Sequence, residues 1–160
     1  MEPKVAESSY MLATGHGDCG TQSMFFSALC RSLGIPARAP GGYQMILAET
    51  PGTHFWAEYY IEGYGWVPCD TTVAEIADWV DIPEGGDREA FKTYYANNLD
   101  PTRLVIQKDV DVRMNPPAFP EGAVVFRLVR QSPAIVSDEA TVDIGAFSGF
   151  HFTIDVEEEE

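Results

Sequence analysis

Basic residues are scarce in this sequence. Ten lysines and arginines stand against 25 aspartates and glutamates, for a net charge of −15. A chain so poor in cations is a weak candidate for binding nucleic acid, because neutralising phosphates takes Lys and Arg. An anionic membrane surface is an equally poor partner. Net charge bears on solubility and association rather than on fold. The acidity therefore fits a solubilising surface, with steering toward basic substrates as the alternative. Long apolar runs are missing too: no stretch reaches the 18 residues of a membrane span. Met1-Glu2-Pro3-Lys4 lacks the basic and apolar regions of a signal peptide. The default expectation is a cytoplasmic chain, unless it is a domain of a longer exported protein. Cysteine is sparse, with Cys19, Cys30 and Cys69 only. An odd, small count argues against a disulfide framework. No C-x-x-C spacing exists, and His16 with Cys19 is the one close pair of candidate zinc ligands, so a tetrahedral site is not expected. Internal repeats and low-complexity linkers are absent.

What is present describes a globular chain. Its 160 residues are 45% hydrophobic and 12% aromatic, which suits a single domain with a core that needs no disulfide. The first fifteen residues show no clear periodicity. Phe25, Phe26, Leu29, Cys30 and Leu33 form one apolar helical face, predicting a helix over 24–33 that reaches back to Asp18 or Cys19. Gly34 and Pro36 end it. Strands are expected over 43–48, 54–62 and 66–71, the last two joined across Gly63-Tyr64-Gly65. Thr72-x-x-Glu75 reads as a capping box opening a short helix through Trp79. A loop over 81–87 and a helix over 88–97 follow. The last third reads as β structure, with strands over 104–107, 123–129 and 150–156, a Pro-rich loop over 115–121 and an acidic tail over 157–160.

One constellation carries chemistry. A thiol that attacks a carbonyl needs a base to take its proton and a third group to orient that base. Cys19 sits where the helix begins, and a helix N-terminus favours a thiolate. Gly17 and Gly20 leave room for a substrate. Asp18 would oppose the thiolate unless it turns away to cap the helix. A packed structural cysteine is the plain alternative. His54 opens an alternating strand, and the hairpin register links it to Asp70. Pairing Glu62 with Trp66 sets Glu58 opposite Asp70 and gathers Phe55, Ala57, Tyr59, Ile61, Val67 and Cys69 on one face. His54 and Asp70 then share the other face, diagonally, with a bulge or twist needed to close the gap. A two-residue loop would separate them. His16 is a rival base or a rim residue, and His151 fits an ordinary surface histidine. Asp70 could equally be a strand-end residue before the Thr71-Thr72 cap. Asp109 and Asp111 are too few for calcium.

At these residues the sequence resembles the papain-like transglutaminase-like superfamily, in its prokaryotic form. The first block is Gly17-Asp18-Cys19-Gly20, then Leu29, Arg31, Leu33-Gly34-Ile35-Pro36-Ala37-Arg38 and Gly42-Tyr43. The second is His54-Phe55-Trp56-Ala57-Glu58-Tyr59-Tyr60, and the third is Gly65-Trp66-Val67-Pro68-Cys69-Asp70-Thr71-Thr72. They span about residues 15–72; residues 88–113 resemble, more loosely, the region that follows the core in prokaryotic members. The resemblance implies an α+β fold, with a nucleophile-bearing helix packed on an antiparallel sheet and a β-rich extension over about 73–156. It assigns the nucleophile to Cys19, the base to His54 and the orienting carboxylate to Asp70. It implies a cysteine enzyme acting on peptide or side-chain amides through a thioester, with no cofactor and a protein or peptide substrate. Hydrolysis is the favoured outcome. Protein cross-linking is an alternative, and so is an inactive binding module of a larger protein. Eighteen residues precede Cys19, and the oxyanion hole is half assigned: the Cys19 N–H lacks a named partner. Tyr10 is a candidate by residue type; Tyr43 and Trp56 are candidate groove walls.

Overall fold

The computed structural model describes residues 7–44, 52–80, 82 and 86–110. The strands expected over 123–129 and 150–156, the Pro-rich loop, His151, Asp111 and the acidic tail lie outside them, as do residues 45–48 of the expected strand 43–48.

Two helices come first, α1 (Glu7–Thr14) and α2 (Cys19–Ser32). Helix α1 was not legible as a periodic pattern, yet its end carries a local signal. Gly15 adopts φ 73° and its N–H donates to Met11 O at 2.8 Å, the left-handed close that glycine permits. Helix α2 begins at Cys19, at the early limit of the expected span. Asp18 is its N-cap, accepting from the Thr21 N–H at 2.8 Å. It ends in a Schellman motif: the Gly34 and Ile35 N–H groups donate to Arg31 O and Cys30 O, and Gly34 takes φ 80°.

Among the described residues, six short strands form two antiparallel groups. In one, β4 (Ala57–Ile61) lies between β1 (Ala37–Arg38) and β5 (Gly65–Cys69). In the other, β2 (Gly41–Gln44) lies between β3 (Gly52–Phe55) and β6 (Arg103–Gln107). The groups share one register. Arg38 pairs with Glu58, and Gly41 pairs with Phe55 at the same offset. The segments 37–44 and 52–61 are thus one antiparallel pair, interrupted where Pro40 faces Trp56. Proline has no N–H to give to the ladder; its carbonyl still accepts from the Trp56 N–H at 3.2 Å. The expected strand 54–62 is accordingly split at Trp56.

The hairpin register differs from expectation by one pair. Ile61 pairs with Gly65, Tyr59 with Val67 and Ala57 with Cys69, not Glu62 with Trp66. Side-chain alternation is unaffected, because the loop still holds three residues, Glu62-Gly63-Tyr64. The consequence falls on Asp70: continuing this register sets it across from Trp56 rather than Glu58. His54 is then one diagonal step away, a distance long side chains span. No bulge lies in this pair, so the register itself does what a bulge was expected to do.

Two helices complete the described chain, α3 (Thr71–Ile76) and α4 (Arg88–Tyr95). The cap of α3 corrects the expected Thr72 box: Asp70 is the N-cap, accepting from the Val73 N–H at 3.0 Å. The helix ends at Ile76, and turns carry on to Trp79. Helices α1 and α3 pack on α2, which lies against β1, β3 and β4. Phe26 of α2 meets Tyr59 of β4 edge-on, with centroids 6.0 Å apart. Phe55, Trp56, Ala57, Cys69, Val73 and Ala77 are among the buried residues of the core. The architecture is α+β. No described helix is long and apolar enough to cross a membrane.

Candidate active site

Three segments converge on His54. The strand β3 delivers its imidazole, which is 5% exposed. The end of β5 delivers Asp70, fully buried, with Oδ2 accepting from His54 Nε2 at 2.8 Å. The first residue of α2 delivers the Cys19 thiol near the same imidazole, close enough to help raise its pKa. With Nε2 committed to Asp70, Nδ1 is the ring nitrogen left for sulfur. Cys19 is partly exposed. As the first helical residue it has an N–H with no intrahelical acceptor. Asp18 turns its carboxylate to the Thr21 N–H, so it caps the helix beside the thiol.

The electrostatics favour a charged His54. Burial is the strongest single influence and opposes the imidazolium. The hydrogen bonds to Asp70 and Cys19, with the charges on both, outweigh it and raise the pKa from 6.5 to about 9. Cys69 and Cys30 are raised as well, which keeps them in the thiol form. Burial, reinforced by the charges of Asp70 and Cys30, pushes Cys69 up to about 11, and burial also raises Cys30. Both are protonated at neutral pH and suit packing better than attack.

A group that sequence analysis missed completes the site. Arg103, at the start of β6, is 5% exposed and donates from Nη1 to Asp70 Oδ2 at 2.8 Å. Its Nε donates to Asp100 Oδ2 at 2.8 Å, and Nη2 lies 2.7 Å from that oxygen in ionic contact. Burial raises the Asp100 carboxyl, but the Arg103 and Thr102 hydrogen bonds and the Arg103 charge bring it below its ordinary value. The Arg103 guanidinium sits 5.5 Å from the centroid of the Trp56 ring. The available signal was one cation opening an otherwise apolar strand, Arg103-Leu104-Val105-Ile106, three residues after an aspartate.

The remaining candidates fall elsewhere. Trp56 is 1% exposed; it is a core residue under Arg103, and the expectation of a groove wall is corrected. Tyr43 is half-buried on β2, across from Thr53 and Leu104. Tyr10 reaches His16: its hydroxyl lies 3.4 Å from His16 Nε2, and the rings meet edge-on at 5.9 Å. His16 donates from Nδ1 to Thr14 O at 3.1 Å. His16 lines, with Gly17, Gln22, Thr71 and Trp79, an open cleft of about 400 Å³ between the α1–α2 loop and α3. It is a rim residue there. Among the described residues no group of three or more His, Cys, Asp or Glu side chains gathers as a metal site.

Comparison with known proteins bears on the N-terminal part of the chain. Residues 2–71 match the family model described as the transglutaminase-like superfamily. An uncharacterized protein of Haemophilus influenzae is 33% identical over 90 residues, covering 42% of this chain and 24% of the relative. The match thus spans about a quarter of that curated relative's length. No solved structure matches the chain at the same significance. The matched segment holds Cys19, His54 and Asp70, so it is residues 2–71, rather than the whole chain, that are similar to the transglutaminase-like superfamily.

Proposed function

We propose that this domain is a cysteine-nucleophile acyl-transfer enzyme acting on peptide or side-chain amides, with hydrolysis as its outcome. The observation that carries this reading is the buried His54 imidazole bonded to Asp70 at 2.8 Å, with the Cys19 thiol at the start of α2 near enough to raise its pKa. An imidazolium beside a thiol at a helix N-terminus favours the thiolate. The Cys19 sulfur attacks the amide carbonyl carbon, and the carbonyl oxygen takes the negative charge. The Cys19 N–H supplies one donor to that oxyanion. Collapse of the intermediate breaks the C–N bond, and His54 gives its proton to the leaving amine. A thioester on Cys19 remains. Water, deprotonated by His54, attacks it and releases the acid and the free thiol. Asp70 fixes the ring tautomer and stabilises the imidazolium throughout.

The test is incubation with a casein-type substrate, with and without a primary amine. New peptide termini indicate a protease, ammonia release without amine uptake a deamidase, and amine incorporation a cross-linking enzyme. No turnover, together with a Cys19 whose alkylation is ordinary and unchanged by His54→Ala, would sink the enzyme reading. A binding module that keeps the fold would then be the better account.

A further inference from the structure

The Asp70 carboxylate accepts three hydrogen bonds. Oδ1 takes the Val73 N–H at 3.0 Å, which locks the carboxylate to the start of α3. Oδ2 takes both His54 Nε2 and Arg103 Nη1, each at 2.8 Å. Two cationic donors therefore share one oxygen. Arg103 is in turn held by Asp100, whose Oδ1 accepts from the Thr102 N–H at 3.1 Å, and whose Oδ2 faces the Tyr95 hydroxyl at 3.4 Å. The buried order is imidazole, carboxylate, guanidinium, carboxylate. Arg103 and Asp100 lie beyond residue 71, where the family match ends.

We propose that Arg103 is a positioning residue of this site, sharing Asp70 Oδ2 with His54 so that the carboxylate is held in place and its grip on the imidazole proton is weakened. The inference rests on the acyl-transfer reading above. A carboxylate that served His54 alone would bind the imidazolium proton more tightly. A general acid works best when its pKa lies near the working pH. A second cation on the same oxygen draws charge away from the first and repels it directly. Because Oδ1 stays anchored by the Val73 N–H, removing Arg103 changes mainly the charge that His54 meets. The groups that face this pair are Cys19 from α2, Cys69 at the end of β5, Tyr95 from α4, and Asp100 and Arg103 before and within β6. Cys69 and Tyr95 are held neutral by burial, with pKa values raised to about 11 and about 12. Near neutral pH the fixed charges that act on the pair are thus those of Arg103 and Asp100.

The experiment is the rate of Cys19 alkylation by iodoacetamide against pH, read by mass spectrometry. It uses the full chain and His54→Ala, Arg103→Met, Arg103→Lys and Asp100→Asn, each checked for folding by circular dichroism. The wild type should show a His54-dependent window. In Arg103→Met its upper edge, where His54 loses its proton, should move up by about one pH unit or more. Arg103→Lys keeps the charge and should stay near the wild type. Asp100→Asn frees the guanidinium for Asp70 and should move the edge down. A folded Arg103→Met whose edge is unmoved or lower overturns the proposal. Should that variant not fold, an unmoved Asp100→Asn edge does the same. A Cys19 indifferent to His54→Ala overturns the acyl-transfer reading and this inference together. A His54-dependent window with unmoved Arg103 and Asp100 variants overturns the inference alone.

Discussion

His54 and Asp70 lie sixteen positions apart in the chain and 2.8 Å apart in space, both buried. The separation is bridged by one hairpin whose register sets Asp70 a diagonal step from the histidine.

This pair makes stability depend on pH. The folded state raises His54 to about 9, so it binds a proton more tightly than the unfolded chain does, near 6.5. The stabilisation is whole below pH 6.5 and is lost as pH rises from there through about 9. Its size is on the order of 3 kcal/mol. Urea midpoints of wild type and His54→Ala should therefore converge between pH 6.5 and 9.5. A constant gap over that range would refute the shift.

Asp70→Asn tests the buried charge. Asparagine keeps an oxygen that can cap α3, but it faces two cationic donors without a counter-charge. Breaking a buried ion pair costs about 3–5 kcal/mol. Thermal or urea unfolding should show a loss of that order, and the His54-dependent window of Cys19 alkylation should disappear.

Cys69 and Cys30 should be dispensable for chemistry. Cys69→Val keeps a small buried side chain and should cost less than about 1.5 kcal/mol. Brief alkylation at neutral pH should modify a single cysteine, mapped to Cys19 by peptide mass. Rapid labelling of Cys69 would contradict its raised pKa.

Gly42→Ala tests how β6 reaches the site. A Cβ at Gly42 would lie 1.9 Å from the Leu104 backbone oxygen, so β2 and β6 would have to part. Overpacking of this kind costs about 1–3 kcal/mol. Hydrogen exchange should speed up at the amides of Leu104 and Val105, and the Arg103 contact to Asp70 should weaken with it. Unchanged exchange would count against this packing.

Much of the site was legible because its parts are local. The start of α2 at Cys19, with Asp18 as cap, followed from an apolar face and an acidic residue before it. The shared face of His54 and Asp70 followed from alternation, which fixes parity but not the pair. Expecting Glu62 opposite Trp66 had the parity and missed the pair by one. Nothing in the pattern separates a loop over 62–64 from one over 63–65, since both hold three residues and two glycines occupy positions 63 and 65. The split at Trp56 was hidden because the cause, Pro40, lies on the neighbouring strand. Trp56 illustrates another limit: an aromatic next to a reactive residue reads equally as wall or core until burial is known. Arg103 was hidden most deeply. Its partner Asp70 is 33 residues away, and only the antiparallel pairing of β6 with β2 brings them within reach.

Asp70 caps a helix with one oxygen and serves the histidine and the arginine with the other. A lineage that abandoned catalysis would still need that aspartate to start α3 and to neutralise a buried guanidinium. Persistence of the aspartate in a relative is thus no sign that the relative is active. The histidine caps no helix, and its part in stability fades as pH rises through about 9. If the proposed chemistry holds, loss of the histidine would therefore say more about activity in this domain than loss of the aspartate.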